Sequence, residues 1–163
     1  MAGKRKEEAE RSGRSREERG QTEVLKGALI HPEIARALAG AGHGAQVLIA
    51  DGNYPISTGA APNAARVYLN LAPGLVTAVD TLRVVAQAIP IEAATVMHPA
   101  EGPDPPIFEE FRALLPGLSL QSLDRFAFYG AALEPDTCLV IATGEQRVYA
   151  NILLTIGVVP PPR

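Results

Sequence analysis

Two titratable residues stand at opposite ends of one short apolar run in the stretch GHGAQVLIADGN. His43 lies between two glycines, and Asp51 directly follows the run QVLIA. A glycine-flanked imidazole is open to solvent, and its ordinary pKa of about 6.5 suits proton transfer at neutral pH. Asp51 ends a predicted strand, where open α/β sheets bind ligands. Surface exposure alone for His43, and a cap on the following turn for Asp51, remain open as alternatives.

The C-terminal stretch VYANILL adds a second set of polar groups. If it forms a strand, Tyr149 and Asn151 point to one face and Ala150 points to the other. A phenol beside an amide offers both hydrogen-bond donors and acceptors, which suits a polyhydroxylated ligand. Arg125, in DRFAFY, either joins such a site or pairs with a nearby carboxylate such as Asp124.

Metal and nucleotide sites are not expected. The three histidines, His31, His43 and His98, are far apart, and the chain contains no HxH, HExxH or CxxC spacing. The glycines between 40 and 44 follow a predicted helix and open a strand, whereas a dinucleotide fingerprint follows a strand and opens a helix. We therefore expect neither a metal site nor a nucleotide site.

Alternating periodicities predict the elements that must position these residues. Helical patterns occur in LIHPEIARALAGAG, LVTAVDTLRVVAQAI and IFEEFRALLPG, and strand-like runs occur in AQVLIAD, RVYLNLAP, IEAATVMH and, around a TGEQ turn, in CLVIATGEQRVYANILLTIGVV. DRFAFYGAAL fits either a helix or a loop and strand. Strands that alternate with helices predict a single layered α/β domain with a largely parallel sheet flanked by helices.

Composition divides the chain into three parts. Residues 1–22 hold seven Lys and Arg against five Glu and almost nothing to bury, so we expect a disordered charged tail, followed by a domain at 23–159 and a short tail at 160–163. The glutamates within the tail and the acidic remainder argue against nucleic acid as a partner. No apolar run reaches the length of about 20 residues that a membrane span needs. A single cysteine fits a reducing compartment, which favours the cytoplasm.

Together these motifs resemble a known family. GHGAQVLIADGNYP, DRFAFY and TGEQRVYANILLTIGV are similar to three motifs of the sugar-mutarotase family that contains L-fucose mutarotase and D-ribose pyranase. The resemblance runs from about residue 25 to residue 159. It implies a cytoplasmic, cofactor-free α/β protein that forms homo-oligomers and interconverts the cyclic forms of a free monosaccharide.

The resemblance also assigns roles to individual residues. It implies that His43 transfers protons, that Asp51 binds the sugar, and that Tyr149, Ala150 and Asn151 form a sugar-binding tripeptide. Arg125 stands at a position that is arginine in the fucose-type branch and histidine in the ribose-type branch, so a fucose-type sugar is favoured. FYGAA departs from the usual fucose-type motif, and the spacing between 66 and 92 is closer to the ribose branch. A D-ribose pyranase and a non-catalytic sugar-binding or transport-accessory protein therefore remain alternatives.

Overall fold

The computed structural model describes residues 25–162, so the charged tail predicted at 1–22 lies outside the described residues. Four helices and six strands are present in the described part. The helices are α1 (Pro32–Gly40), α2 (Ala78–Ala88), α3 (Ile107–Leu114) and α4 (Arg125–Leu133). The strands are β1 (Gln46–Ala50), β2 (Ala65–Tyr68), β3 (Ile91–Met97), β4 (Leu120–Leu123), β5 (Thr137–Ala142) and β6 (Ile152–Ile156).

Local capping explains where three of the helices begin. His31 Nδ1 accepts a hydrogen bond from the first turn of α1, and Pro32 supplies the preset φ of a first helical residue. Thr77 and Asp80 form a reciprocal capping box at the start of α2. Asp124 accepts two backbone N–H groups of the first turn of α4. This last cap decides the ambiguous DRFAFYGAAL stretch in favour of a helix.

The sheet has the order β2-β5-β1-β6-β3-β4. Every strand except β6 runs in one direction, and β6 is antiparallel to both of its neighbours. The predicted α/β domain with a largely parallel sheet is therefore confirmed. The short strand β4 was not predicted, because the apolar pattern of LQSL is weaker than that of the other strands.

The short connection before β6 explains the one reversed strand. Strand β5 ends at Ala142 and β6 begins at Ile152, with no helix in between. A parallel connection needs a crossover of a dozen or more residues, usually a helix. The segment 143–151 therefore stays at the carboxyl edge of the sheet, and β6 runs back between β1 and β3.

Both faces of the sheet are covered. Alternation along β1 sends Val47 and Ile49 into one core with α1, α2 and α3, and sends Leu48 into a second core with α4 and the segment after β1. All of these side chains are fully buried. Burial on both faces explains why AQVLIAD is continuously apolar instead of alternating.

Gly144 lies where the segment 143–151 packs closely against the turn before α2, and a substitution there tests this packing. A Cβ at this position would lie 2.0 Å from the carbonyl oxygen of Leu75 and 2.5 Å from that of Ala72. Both contacts are with backbone, so Gly144→Ala should lower the free energy of unfolding by about 1–3 kcal/mol or more. Urea denaturation measures this change.

Gly130→Ala is the matched control. Gly130 lies in α4, and an added Cβ there meets nothing within 4 Å. Alanine should be neutral or stabilising by about 0.5–1 kcal/mol in such a helical position. Equal stability of the two variants would contradict the packing that we describe at Gly144.

Candidate functional site

A cavity of about 310 Å³ opens at the carboxyl edge of the sheet. We call it the carboxyl-edge cavity. Its lining residues are Asp51, Asn53, Tyr54, Met97, Arg125, Tyr129, Val148, Tyr149 and Asn151. They come from the ends of β1 and β3, the first two turns of α4 and the segment before β6. The strand order brings these parts of the chain together, since β6 lies between β1 and β3.

Asp51 is the buried anionic group of the cavity. Its side chain accepts hydrogen bonds from the N–H groups of Asn53 (2.9 Å) and Ala150 (3.2 Å) and from the side-chain amide of Asn151 (3.0 Å). Burial raises the pKa of Asp51, and these donors offset only part of that effect. Asp51 therefore caps the turn after β1 and also faces the cavity, so the two alternatives for this residue are not exclusive.

Asp51 and Asn151 bind each other reciprocally. The Asn151 side-chain oxygen accepts the backbone N–H of Asp51 at 2.8 Å, while its amide nitrogen donates to the Asp51 carboxylate. Both residues are buried, with 3% exposure each. The pair joins the end of β1 to the start of β6.

The expectation that Tyr149 and Asn151 alternate along a strand is wrong. Both precede β6, and Tyr149 lies in a turn with φ of +59°. Their side chains share the cavity because the turn redirects the chain, and strand alternation plays no part. Ala150 between them is fully buried in the core, and its N–H donates to Asp51.

Arg125 and Tyr149 lie together on the more open side of the cavity. The Arg125 guanidinium donates to the Tyr149 hydroxyl at 3.5 Å. The Asp124 carboxylate caps α4 instead. The alternative, an ion pair between Asp124 and Arg125, is not observed. Tyr54 and Tyr129 pack edge to face at 5.4 Å and supply an aromatic wall.

His43 lies at the opposite edge of the sheet. It precedes β1, whereas Asp51 follows it, and a five-residue strand separates its ends by roughly 15 Å. The His43 side chain is 58% exposed, and its Nε2 is 2.9 Å from a carboxylate oxygen of Glu92, near the start of β3. Glu92 thus occupies Nε2, and among the described residues no hydrogen bond involves Nδ1.

Comparison with known proteins identifies the family. The family described as the RbsD / FucU transport protein family matches residues 24–159. The chain belongs to the RbsD/FucU family.

Members of the RbsD/FucU family with different names are similarly related to this chain. It is 33% identical over 137 residues to D-ribose pyranase from Paracidovorax citrulli, covering 80% of this chain and 95% of that protein. It is 31% identical over 153 residues to fucose mutarotase from Danio rerio, covering 85% and 96%. The structure of Bacillus subtilis RbsD complexed with D-ribose has a TM-score of 0.72 and 27% identity, covering 84% of this chain and 100% of that one.

The structure groups five of the six site residues expected from the RbsD/FucU resemblance. Asp51, Arg125, Tyr149 and Asn151 line the cavity, and Ala150 supports it through its backbone, whereas His43 lies elsewhere. Sequence reasoning missed several lining residues: Asn53, Tyr54, Met97, Tyr129 and Val148. Proximity to Asp51 in ADGNYP could have pointed to the first two, and position at the end of β3 could have pointed to Met97.

Other classes of site find little support in the described residues. Among residues 25–162 no group of three or more His, Cys, Asp or Glu side chains is arranged to hold a metal ion. No helix within the same range is long and apolar enough to cross a membrane.

Asn151→Asp tests the reciprocal pair. This variant places a second carboxylate about 3 Å from that of Asp51 in a buried position, where both cannot ionise without a large cost. We expect the free energy of unfolding at neutral pH to fall by about 3 kcal/mol. One carboxyl of the pair then has a raised pKa in the folded state, so stability should recover as the pH falls through that pKa and decline as it rises. Urea denaturation between pH 4.5 and 8 measures both effects.

Asn70→Asp serves as the control, because Asn70 is exposed near the same edge of the sheet. It should change stability little at any of these pH values. A variant Asn151→Asp that matches this control would show that the Asp51–Asn151 pair is not closely held.

Proposed function

We propose that this RbsD/FucU family member is a cofactor-free isomerase that interconverts the cyclic forms of a free monosaccharide. The observation that carries the proposal is the carboxyl-edge cavity, in which Asp51, Arg125 and Tyr149 present convergent polar groups beside an aromatic wall. Its volume lies at the small end of the range for ligand sites, about 300–1,000 Å³, as a single sugar ring requires. We also propose a cytoplasmic homo-oligomer as the working form.

The polar groups of the cavity match the hydroxyl groups of a sugar. Asp51 has acceptor capacity left beyond its three protein donors, because a carboxylate offers about four lone-pair sites. Arg125 offers several donors, and the Tyr149 hydroxyl can donate or accept. Tyr54 and Tyr129 offer flat apolar surface to the C–H face of the ring.

No histidine lines the cavity of one subunit, and we propose that His43 of a neighbouring subunit supplies the proton-transfer group. The strand β1 holds the two edges of the sheet apart, so His43 cannot reach the cavity of its own chain without refolding this edge. An oligomer that joins the His43 edge of one subunit to the cavity edge of the next would place His43 beside the neighbouring cavity. The exposed imidazole then enters with its orientation fixed by Glu92.

The proposed reaction needs only proton transfers. Nδ1 of His43 takes the proton of the anomeric hydroxyl, the bond between the anomeric carbon and the ring oxygen breaks, and the resulting imidazolium returns that proton to the ring oxygen. The open-chain aldehyde then turns over, and the ring closes from the other face with the proton transfers reversed. Such acid–base catalysis contributes about 10²–10⁴-fold. Glu92 stabilises the transient imidazolium as a hydrogen-bond partner and counter-charge.

A fucose-type sugar is the preferred substrate in this proposal. Arg125 presents a planar group of fixed donors to adjacent hydroxyls, and Met97 and Val148 offer apolar surface for a methyl substituent. Ribose in its pyranose form has no such methyl group. The RbsD/FucU relatives include proteins named for each sugar, so a D-ribose pyranase is the alternative within this reaction class.

A non-catalytic sugar-binding protein is the second candidate function. The observation that favours it is the position of His43, because an isolated subunit would bind a sugar with no histidine beside it. Catalysed exchange between anomers separates the two functions, since a protein that only binds leaves exchange at its spontaneous rate.

His43→Ala should remove most of the catalysed exchange while the fold and sugar affinity persist. The side chain is more than half exposed, and within residues 25–162 its one side-chain hydrogen bond is with a surface carboxylate, so little packing is lost. NMR saturation transfer between anomers measures the exchange, with fucose, ribose and galactose as test sugars. His98→Ala, a histidine that does not line the cavity, should retain most of the exchange. Full activity of His43→Ala would exclude this histidine as the catalytic group.

Mixed oligomers test whether the site is shared. We expect His43→Ala and Arg125→Ala subunits, each of low activity alone, to regain exchange when co-expressed. In a shared site, roughly one quarter of the sites in a random 1:1 mixture combine both native residues. Mixed oligomers that form and yet remain inactive would place the whole site within one chain.

Arg125→His tests the sugar preference. A neutral imidazole offers one donor where the guanidinium offers several, so exchange of fucose-like hexoses should fall more than exchange of ribose. The ratio of kcat/KM for fucose and ribose measures the change. Equal losses for both sugars would show that Arg125 does not discriminate between them.

A further inference from the structure

The segment 143–151 carries part of the carboxyl-edge cavity without being a helix or a strand. Within it Tyr149 has φ of +59°, which few residues other than glycine adopt. Such a conformation persists only when surrounding contacts hold it. Two to four residues earlier, Glu145 and Arg147 are joined by several hydrogen bonds.

Glu145 is a buried carboxylate, with 4% exposure, and it connects two sides of the cavity. Its backbone oxygen accepts the N–H of Gly52, the residue after Asp51, at 2.9 Å. Its side chain accepts the backbone N–H of Arg147 at 3.1 Å. The same residue thus holds the turn after β1 and the approach to Tyr149.

The Arg147 guanidinium binds Glu145 in a bidentate manner. Its Nε and Nη2 donate to the two carboxylate oxygens of Glu145 at 3.0 Å each. Its Nη1 donates to Glu110 of α3. Burial alone would raise the pKa of Glu145, but the hydrogen bonds and charge of Arg147 outweigh burial and lower it. The carboxylate is therefore ionised at neutral pH, and the bidentate pair fixes the direction of the backbone at Arg147.

We propose that Glu145 and Arg147 are positioning residues for sugar binding, which hold Tyr149 and Asn151 in the conformation that the sugar requires. Neither residue lines the cavity, so both act through the backbone that connects them to it. The inference rests on the proposed sugar-binding function of this cavity. It extends the determinants of affinity beyond the residues that contact the ligand.

The test separates positioning from simple stabilisation. Arg147 is 44% exposed at its side chain, so Arg147→Met keeps the length of the side chain and removes no core residue. In this variant we expect KM and the dissociation constant for the sugar to rise about tenfold or more, with a smaller change in kcat. The reason is that the variant's site is disordered without sugar but reforms when saturated with it. Arg147→Lys keeps the charge but not the two-pronged geometry, and it should stay impaired.

Two controls define the role of each contact. Glu110→Gln weakens only the outer contact of Arg147 and should leave KM near the native value. Arg147→Met combined with Glu145→Gln removes the unpaired buried charge and restores stability, yet KM should remain high. If Arg147→Met alone does not fold, this double variant provides the decisive measurement.

An independent readout is the NMR spectrum of ring-labelled tyrosine. The chain has four tyrosines, and Tyr149→Phe assigns the signal of Tyr149. In the Arg147 variants this signal should broaden or shift in the free protein, while the signal of Tyr68, on β2 and outside the cavity, stays unchanged.

The outcomes of the two proposals are distinguishable. Native protein that neither binds nor exchanges any of the test sugars would overturn the proposed function. Native protein that binds a sugar, together with Arg147 variants of unchanged KM and unchanged Tyr149 signal, would overturn only the positioning role.

Discussion

The site depends on the reciprocal hydrogen bonding between Asp51 and Asn151. The two residues are 100 positions apart in the chain and become neighbours because β6 inserts between β1 and β3 in the antiparallel sense. Each satisfies a buried polar group of the other, which would otherwise cost about 1–3 kcal/mol. The chain after β5 must therefore pass along the carboxyl edge and present Tyr149 and Ala150 there before β6 begins.

The pKa values of two buried carboxylates at this edge shift in opposite directions, because their hydrogen-bond partners differ. Asp51 has only neutral donors, so burial dominates and its pKa is raised. Glu145 has a guanidinium partner, which outweighs burial and lowers its pKa. By linkage, the stabilising contribution of Glu145 is present above its unfolded pKa and is lost as pH falls through its folded pKa. The ionised form of Asp51 instead costs stability, and that cost disappears as pH falls through its raised pKa. Glu145 is thus held as a structural anion, while Asp51 keeps unused hydrogen-bond acceptor capacity that faces the cavity.

The separation of His43 from the carboxyl-edge cavity follows from the length of β1. A strand is rigid, and five residues span more than the width of a monosaccharide ring. A single subunit consequently divides its polar groups between two edges, with the cavity residues proposed to bind sugar at one and the His43–Glu92 pair at the other. A head-to-tail assembly would bring complementary edges together, and it would couple activity in this RbsD/FucU family member to association.

The amino-acid sequence by itself determined the layered α/β class, the helix start at Pro32, and the placement of Asp51 at the end of a buried strand. Apolar periodicity and capping residues act over a few neighbouring positions, so they can be recognised without the fold. The resemblance of short motifs to one family also pointed to Arg125, Tyr149 and Asn151 as parts of one site. Only the tertiary structure decided that β6 is reversed, that Tyr149 lies in a turn, and that Glu145 binds Arg147 just before that turn. Those features arise from contacts between residues distant in sequence and from the short connection after β5, and no local pattern encodes which strands become neighbours.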